Sequence, residues 1–532
     1  MLSELKRSWF ILFICVALIG FYGCSDSDGD TTGGSENDQS GDSSGDKNPP
    51  DDPDHSDGSG DGNSSENKLP AVGGACGDIT NSGKCYGNIV YYCDEQQVLQ
   101  SYNCEQNQQI CGMLSDDTHT WYACTDKTDG GDHGNTPGDL VTAEDWARAL
   151  IAGSVSTADA FEAISQGTGF PVVTDDNTVI FIHWYEGGDW KVAGDFNDWG
   201  ENGLTQMTNI RDFWYAEVDM PDNPVENNYY KFVNGNTYEA DHWSQRYTYT
   251  EDGEISYIVT PDKPYLMRWP GFKSPQGLAS RTVRAYVPTG QGPFDIIYAH
   301  DGQNLFGPGG AYGSWNVESN MEKAEASFIV VGIDNGEAAR LSEYAFVDED
   351  LSSMGYGYVE AKGNDYAKFV HETVRPFMEK RFHLTGKVGL MGSSMGGLIS
   401  LYIAHLYPTD YDVVLALSPT TAWGRFSHAD GQVIEDIYAA AGHRQFTLYL
   451  DNGGNAPEGG CSEVLTQADA ANDENNLDCY CFTHSFVEKM AEIGYTWDVD
   501  LFHHDQPGAP HNEQAWADRL VKPLTIFKNN TK

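Results

Sequence analysis

The chain has 532 residues, with 80 acidic side chains against 31 basic ones and a formal net charge of −49. That length allows several domains of about 100–200 residues each. So large an acidic surplus excludes nucleic acid as a partner, because phosphate recognition needs a basic footprint, and it points to a soluble, exposed protein without fixing a fold.

Lys6 and Arg7 precede an apolar run from Trp9 to Gly20. A basic start followed by about a dozen apolar residues has the form of an export signal and is too short to span a bilayer comfortably. The run ends at Phe21-Tyr22-Gly23-Cys24, which resembles a bacterial lipobox, although Phe21 stands where that pattern has an aliphatic residue. The resemblance implies a lipoprotein signal peptide over 1–24, lipidation of Cys24 and a membrane anchor through that lipid. The expected location is the outer membrane or cell surface, where cysteines meet oxidising conditions.

Residues 25–70 are Ser, Gly, Asp and Asn with almost nothing apolar to bury. They are expected to form a disordered acidic tether. Asp26-Ser27-Asp28-Gly29-Asp30 has the look of a calcium loop but lacks the closing glutamate, so no metal is assigned there. Cys76, Cys85, Cys93, Cys104, Cys111 and Cys124 follow. Six cysteines crowded together in an exported chain predict a disulfide module over 71–126, whose pairing the spacing does not choose. A linker covers 127–140.

Helical spacing of Trp146, Leu150, Ile151, Phe161 and Ile164 predicts a helix over Ala143–Gln166, ended at 167–171. From Thr178 to Val259 the pattern changes to strands separated by Asn/Gly/Asp turns, as in a β-sandwich. Within it, Ala193-Gly194-Asp195-Phe196-Asn197-Asp198-Trp199 resembles the signature of early-set immunoglobulin-like domains related to glycogen-binding modules. That resemblance covers 141–262 together with the helical lead-in. It makes Trp199, Trp214 and Trp243 candidates for stacking on sugar rings, against the alternative that they fill a core.

Residues 265–530 alternate buried strands with helices, the pattern of an α/β sheet. Phe294–Ala299 and Phe328–Ile333 are continuous apolar runs, typical of strands covered on both faces. A helix is expected from Tyr366 to Arg381, and a final one from Asn512 to Phe527. Val388–Met391 leads into Gly392-Ser393-Ser394-Met395-Gly396, a G-x-S-x-G turn with Ser394 at its centre. In a nucleophile elbow such small neighbours are needed where strand turns sharply into helix.

His300-Asp301-Gly302-Gln303-Asn304, Val331-Gly332-Ile333-Asp334-Asn335 with Arg340, Glu343 and Tyr344, the Ser394 turn, Leu417-Ser418-Pro419-Thr420 and Gly508-Ala509-Pro510-His511 stand in one order. That order and spacing resemble the esterase D-like family of α/β-hydrolases, over 265–530. The fold implied is an α/β-hydrolase, a mostly parallel sheet flanked by helices, behind an N-terminal β-sandwich and a small disulfide-rich module. The resemblance implies ester hydrolysis through an acyl-enzyme, with Ser394 as nucleophile and His511 as base; His503 and His504 are runners-up. The acid is expected after the strand ending at Leu450, and Asp478 is chosen, with Asp451 and Glu458 as alternatives. The backbone N–H groups of Gln303 and Met395 are the expected oxyanion donors. Trp315, Tyr344 and Trp423 are candidates for the substrate pocket. Cys461 is expected to pair with Cys479 or Cys481, and Asp469, Asn472 and Asp473 are weaker candidates for calcium. No cofactor is implied. The expected substrate is an extracellular ester of the polysaccharide-linked feruloyl or acetyl type. A siderophore trilactone, acyl transfer to a sugar, or a surface binding role without catalysis are the alternatives.

Overall fold

A computed structural model of the chain describes residues 84–86, 89–94, 98–103, 109–115, 120–126, 140–220, 228–476 and 478–530. The expected export signal, Cys24 and the expected 25–70 tether lie outside them. The chain divides into two compact units, one of Phe21–Gly138 and one that includes Asp139–Lys532. In the first, Lys84–Tyr86, Ile89–Cys93 and Leu99–Asn103 form an antiparallel sheet, and Gln109–Ser115 pairs with Thr120–Asp126 as a hairpin. Cys93 is disulfide-bonded. How the six cysteines pair lies outside the described residues.

The second unit begins with two helices where one was expected. Ala143–Ala152 starts on a capping box between Thr142 and Asp145 and stops at Gly153, at φ 80°. Ser156 then caps Thr157–Gln166. A left-handed glycine ends a helix and a serine cap starts one, so Gly153-Ser154-Val155-Ser156 breaks the apolar stripe without ending it. Both helices bury that stripe, including Leu150, Phe161 and Ile164, against Phe170, Ile180, Ile182 and Phe213.

Thr178–Trp184 and Phe213–Asp219 belong to a four-stranded antiparallel sheet. Its Val179, Phe181 and Ala216 share a core with Trp190, Val192, Tyr230 and Phe232 of a second sheet. Two sheets thus pack face to face. The tryptophans singled out as sugar platforms are tethered and half-buried. Trp199 Nε1 donates to Asp195 (2.8 Å), Trp214 Nε1 to the Gly187 carbonyl (3.0 Å), and Trp243 packs edge-on against Phe161.

The second sheet does not stop at the expected boundary near 262. Arg246–Thr250 pairs with β1 (Tyr265–Phe272), and β1 pairs with β2 (Arg281–Val287). The sheet runs on through β3 (Phe294–His300), β4 (Ile329–Ile333), β5 (Leu384–Ser393), β6 (Val413–Leu417), β7 (Thr447–Asn452) and β8 (Leu501–Asp505). Their spatial order is 1-2-4-3-5-6-7-8. β1 and β2 run antiparallel to their neighbours, and β3 to β8 are mutually parallel. Alternate residues of the apolar runs serve opposite faces. Ile296, Tyr298, Leu390 and Val414 enter one core, while Ile297, Ala299, Met391 and Val413 enter the other. This is why those strands read as unbroken hydrophobic runs.

Two more expected helices are interrupted. The 366–381 segment contains a π-helical stretch, Phe369–Val374, between shorter α-helices. The last segment divides into Glu513–Arg519 and Val521–Asn529. Pro523 has no N–H to donate to the Arg519 carbonyl, so the ladder cannot continue across it. Among the described residues, no helix is long and apolar enough to cross a membrane.

Candidate active site

β5 ends at Ser393 and α1 (Met395–Leu406) begins two residues later, leaving Ser394 alone at the turn with φ 55° and ψ −128°. Positive φ is costly for a residue with a Cβ and persists only where the surroundings impose it. Here they do. Ser394 N–H donates to the Leu417 carbonyl (3.0 Å), and the Ser394 carbonyl accepts from Thr420 N–H (3.1 Å). A Cβ on Gly392 would lie 2.3 Å from the Gly396 carbonyl oxygen, and one on Gly396 would lie 3.1 Å from Asp301. The small flanking residues are therefore a steric requirement of the turn. Met395 is the first residue of α1, where a backbone N–H has no carbonyl four residues back to bond.

The chain places Asp478 at the end of the insertion that follows β7, just before α2 (Tyr480–Glu492). Asp478 and Cys479 both have left-handed backbones, φ 55° and 57°. The bend aims the Asp478 carboxylate at the loop after β8, where its Oδ1 hydrogen-bonds His511 Nδ1. Its Oδ2 accepts from Gly453 N–H and from the Ser418 hydroxyl (2.7 Å). Burial pushes this carboxyl upward, but the facing His511 and Ser418 outweigh burial and hold it below its ordinary value. His511 is buried and meets the Trp516 ring edge-on at 5.0 Å.

The alternatives are engaged elsewhere. Asp451 is fully buried, pairs with Arg519 (2.9 Å), and accepts from Tyr449 (2.8 Å) and from Ser418 N–H (3.0 Å). Burial raises its pKa despite Arg519. Glu458 is exposed. His503 and His504 lie on β8, and His503 Nε2 is 3.0 Å from the Asn452 side chain.

Gln303 sits in a single turn, Gly302–Asn304, directly after β3. Asp301 holds this loop from a left-handed position, φ 58°. It takes a bidentate bond from Arg340 (2.8 and 2.9 Å) and another from Asn335 (2.7 Å). Gln303 Oε1 accepts from Asn335 N–H (3.1 Å), and Asn304 reaches Glu513, two residues past His511 (3.1 Å). The loop after β3 is thus braced both to β4's exit and to the histidine loop.

The aromatics expected to line a pocket require correction. Trp315, Tyr344 and Trp423 are only 1%, 0% and 2% exposed. Trp315 packs near Trp516, Trp423 Nε1 donates to the Val347 carbonyl (2.9 Å), and the Tyr344 hydroxyl accepts from Asp301 N–H (3.3 Å). Large apolar rings beside a buried sheet are drawn into its core, and these three support the loops from behind. The calcium candidates are also engaged. Asp473 accepts from Cys481 N–H and Phe482 N–H (2.8 Å each), capping α2, and Asp469 accepts from Thr466 N–H (2.8 Å). Cys461 pairs with Cys481, one of its two expected partners, while Cys479 is buried beside the bridge.

Sequence reading missed the parts played by Ser418 and Arg519. Ser418 lies in the Leu417–Thr420 motif, so a signal existed for it. Arg519 joins the site only through tertiary packing, donating to the Ser418 hydroxyl (2.5 Å).

A strand order of 1-2-4-3-5-6-7-8, a serine at the β5 elbow and an Asp–His pair carried by the loops after β7 and β8 define an α/β-hydrolase domain. Residues 278–525 match the family model described as "Putative esterase". The siderophore triacetylfusarinine C esterase of Aspergillus fumigatus is 29% identical over 148 residues, covering 25% of this chain and 47% of that protein. The siderophore enterobactin esterase of Emericella nidulans is 37% identical over 73 residues, 13% of this chain and 24% of that one. The chain therefore spans half or less of the length of these two relatives. Among solved structures, the enterobactin esterase of Shigella flexneri is 14% identical with a TM-score of 0.34, covering 66% of this chain and 93% of that one. The BES protein of Bacillus cereus is 17% identical with a TM-score of 0.37, covering 52% and 98%.

Proposed function

We propose that this protein is a serine carboxylic ester hydrolase that works through an acyl-enzyme, with Ser394 as nucleophile, His511 as base and Asp478 as acid. The observation that carries the reading is the Asp478–His511 hydrogen bond, held in one network with the Ser394 turn through Ser418 and Leu417. A serine hydroxyl is a weak nucleophile at neutral pH and needs a neighbouring base. Asp478, bonded to Nδ1, leaves Nε2 as the basic nitrogen of His511. The Ser394 proton passes to Nε2 as Oγ adds to the ester carbonyl. The tetrahedral oxyanion takes hydrogen bonds from the N–H groups of Met395 and Gln303. Collapse expels the alcohol, which leaves with the proton from His511. Water then repeats the two steps and releases the acid.

For substrate, the names of the relatives favour a siderophore ester over the feruloyl or acetyl polysaccharide ester expected from the sequence. An intact or iron-loaded cyclic trilactone is the proposed class. The proposed location rests on the sequence of residues 6–24: export, with an anchor through lipid on Cys24. Palmitate labelling lost in the Cys24→Ala variant supports that anchor, and labelling retained refutes it.

The test compares the full chain with its Ser394→Ala variant on a short-chain nitrophenyl ester. A fall of about 10^4-fold or more in kcat is expected, with the melting temperature preserved. Equal rates would sink the nucleophile assignment. Initial rates on ferric and iron-free trilactones, against feruloylated and acetylated xylan, then decide the substrate class. Preference for xylan esters overturns the siderophore reading and leaves the mechanism standing.

A further inference from the structure

Behind the acid loop lies a second cluster of titratable side chains that ester hydrolysis does not use. His503 and Asp505 are two apart on β8, which puts both side chains on one face of that edge strand. His484 projects towards them from α2. Its Nε2 lies 3.0 Å from Asp505 Oδ1, and His503 Nε2 lies 3.5 Å from the same oxygen. Among the described residues this is the one group of three His, Cys, Asp or Glu side chains whose donor atoms converge, all within 4.8 Å of one another.

We propose that His484, His503 and Asp505 form a binding site for a divalent transition-metal ion of the zinc class. Four ligands at about 2.0–2.1 Å in a tetrahedron stand roughly 3.3 Å apart, and the 3.0 and 3.5 Å separations bracket that edge. Two imidazoles with one carboxylate suit zinc and its neighbours and do not suit calcium or magnesium, which take oxygen ligands. The scaffold is already ordered. The His484 ring stacks on Tyr480 one helical turn earlier, with centroids 4.0 Å apart, and the His484 and His503 rings meet edge-on at 4.6 Å. Asn452 Oδ1, 3.0 Å from His503 Nε2, adds a neutral oxygen on the buried side of the cluster. The side chains of His484 and Asp505 are 27% and 34% exposed, so an ion has a way in and water can fill the fourth position.

His484 Nε2 and His503 Nε2 face the same Asp505 Oδ1, and His503 Nε2 also faces Asn452 Oδ1, so the nitrogen and oxygen donors of α2, β7 and β8 meet at one point. An ion there would fasten α2 to β8. α2 starts two residues after Asp478, and Asn452 adjoins Gly453, whose N–H bonds the Asp478 carboxylate. The metal would therefore brace the acid loop without touching substrate.

The test strips the full-length protein with a chelator and titrates zinc alone by calorimetry, with melting temperature as the second readout. Wild type and His443→Ala, which removes a histidine paired with Asp500 outside the cluster, are expected to bind one equivalent more than His484→Ala or Asp505→Asn. Zinc is expected to raise the melting temperature of the first two, and that increment should be lost in the cluster variants. Cobalt substitution should give the visible band of a tetrahedral site in wild type and lose it in His484→Ala. Both cluster variants replace partly exposed side chains, and near-UV circular dichroism checks that they fold. Equal stoichiometry and equal zinc-dependent melting in wild type and His484→Ala overturn the proposal, however many ions bind elsewhere.

Discussion

Asp478 hydrogen-bonds His511 through Nδ1 from 33 positions away in sequence, and it does so from a left-handed backbone at the mouth of α2. Asp451 lies at the end of β7, where an acid would be sought first, yet its carboxylate is committed to Arg519, Tyr449 and the Ser418 backbone. The two aspartates share Ser418 as a neighbour and are expected to have separable roles.

Replacing Asp478 by Asn should lower kcat by about 10^4-fold while leaving the fold intact, because the histidine loses the partner that fixes its tautomer and stabilises its charged form. Replacing Asp451 by Asn should instead leave Arg519 buried and uncompensated, at a cost of about 3–5 kcal/mol of stability. Steady-state kinetics together with urea unfolding of both variants separates these outcomes. A catalytic loss confined to Asp451→Asn would transfer the acid's role to that residue.

Stability should fall on the acid side. Burial would raise the Asp301 carboxyl, but the Arg340 guanidinium outweighs it and holds the group below its ordinary value, and Asp478 is held low in the same way by His511. A carboxyl whose folded pKa is depressed adds stability that is fully present above the unfolded value of about 3.9. That stability is lost as pH falls through the folded value. Urea unfolding at a series of pH values from about 7 to about 2 should show this decline. The Asp301→Asn variant should be less stable at neutral pH and should lose less on acidification. An unchanged acid limb would remove the Asp301–Arg340 pair from the explanation.

The Cys461–Cys481 bridge closes a loop across 20 positions and fastens the insertion to the first turn of α2, three residues past Asp478. Its loss in the Cys461→Ser variant should cost about 3 kcal/mol. If the bridge also positions the acid, kcat should fall with little change in KM, and a reductant should mimic the variant. Unchanged kcat in a variant that still melts lower would limit the bridge to stability.

Much of this molecule is set by short-range rules that operate within a few residues. Apolar runs bounded by turns specify β3, β4, β6 and β7. The need for small residues around Ser394 specifies the elbow, since a Cβ at Gly392 would meet the backbone of its own turn. Local signals also existed for the divided helices, at Gly153, Ser156 and Pro523, but an unbroken apolar stripe concealed them, because successive helices can present one stripe to the same sheet.

Tertiary structure decided what depends on neighbours far away in sequence. It selected Asp478 over Asp451 and Glu458 as the carboxylate that meets His511, because the insertion after β7 carries the chain away from the site and returns it at α2. It drew Trp315, Tyr344 and Trp423 into the core, since sequence specifies that a ring is apolar and only packing specifies which surface covers it. It joined the sheet that holds Trp190–Gly194 and Tyr229–Asn234 to β2–β8 through β1, a pairing set by backbone hydrogen bonds that no side-chain pattern records. Ser394 could be found by reading along the chain. The charged and hydrogen-bonded groups around it could be found only once burial had determined which of them must pair.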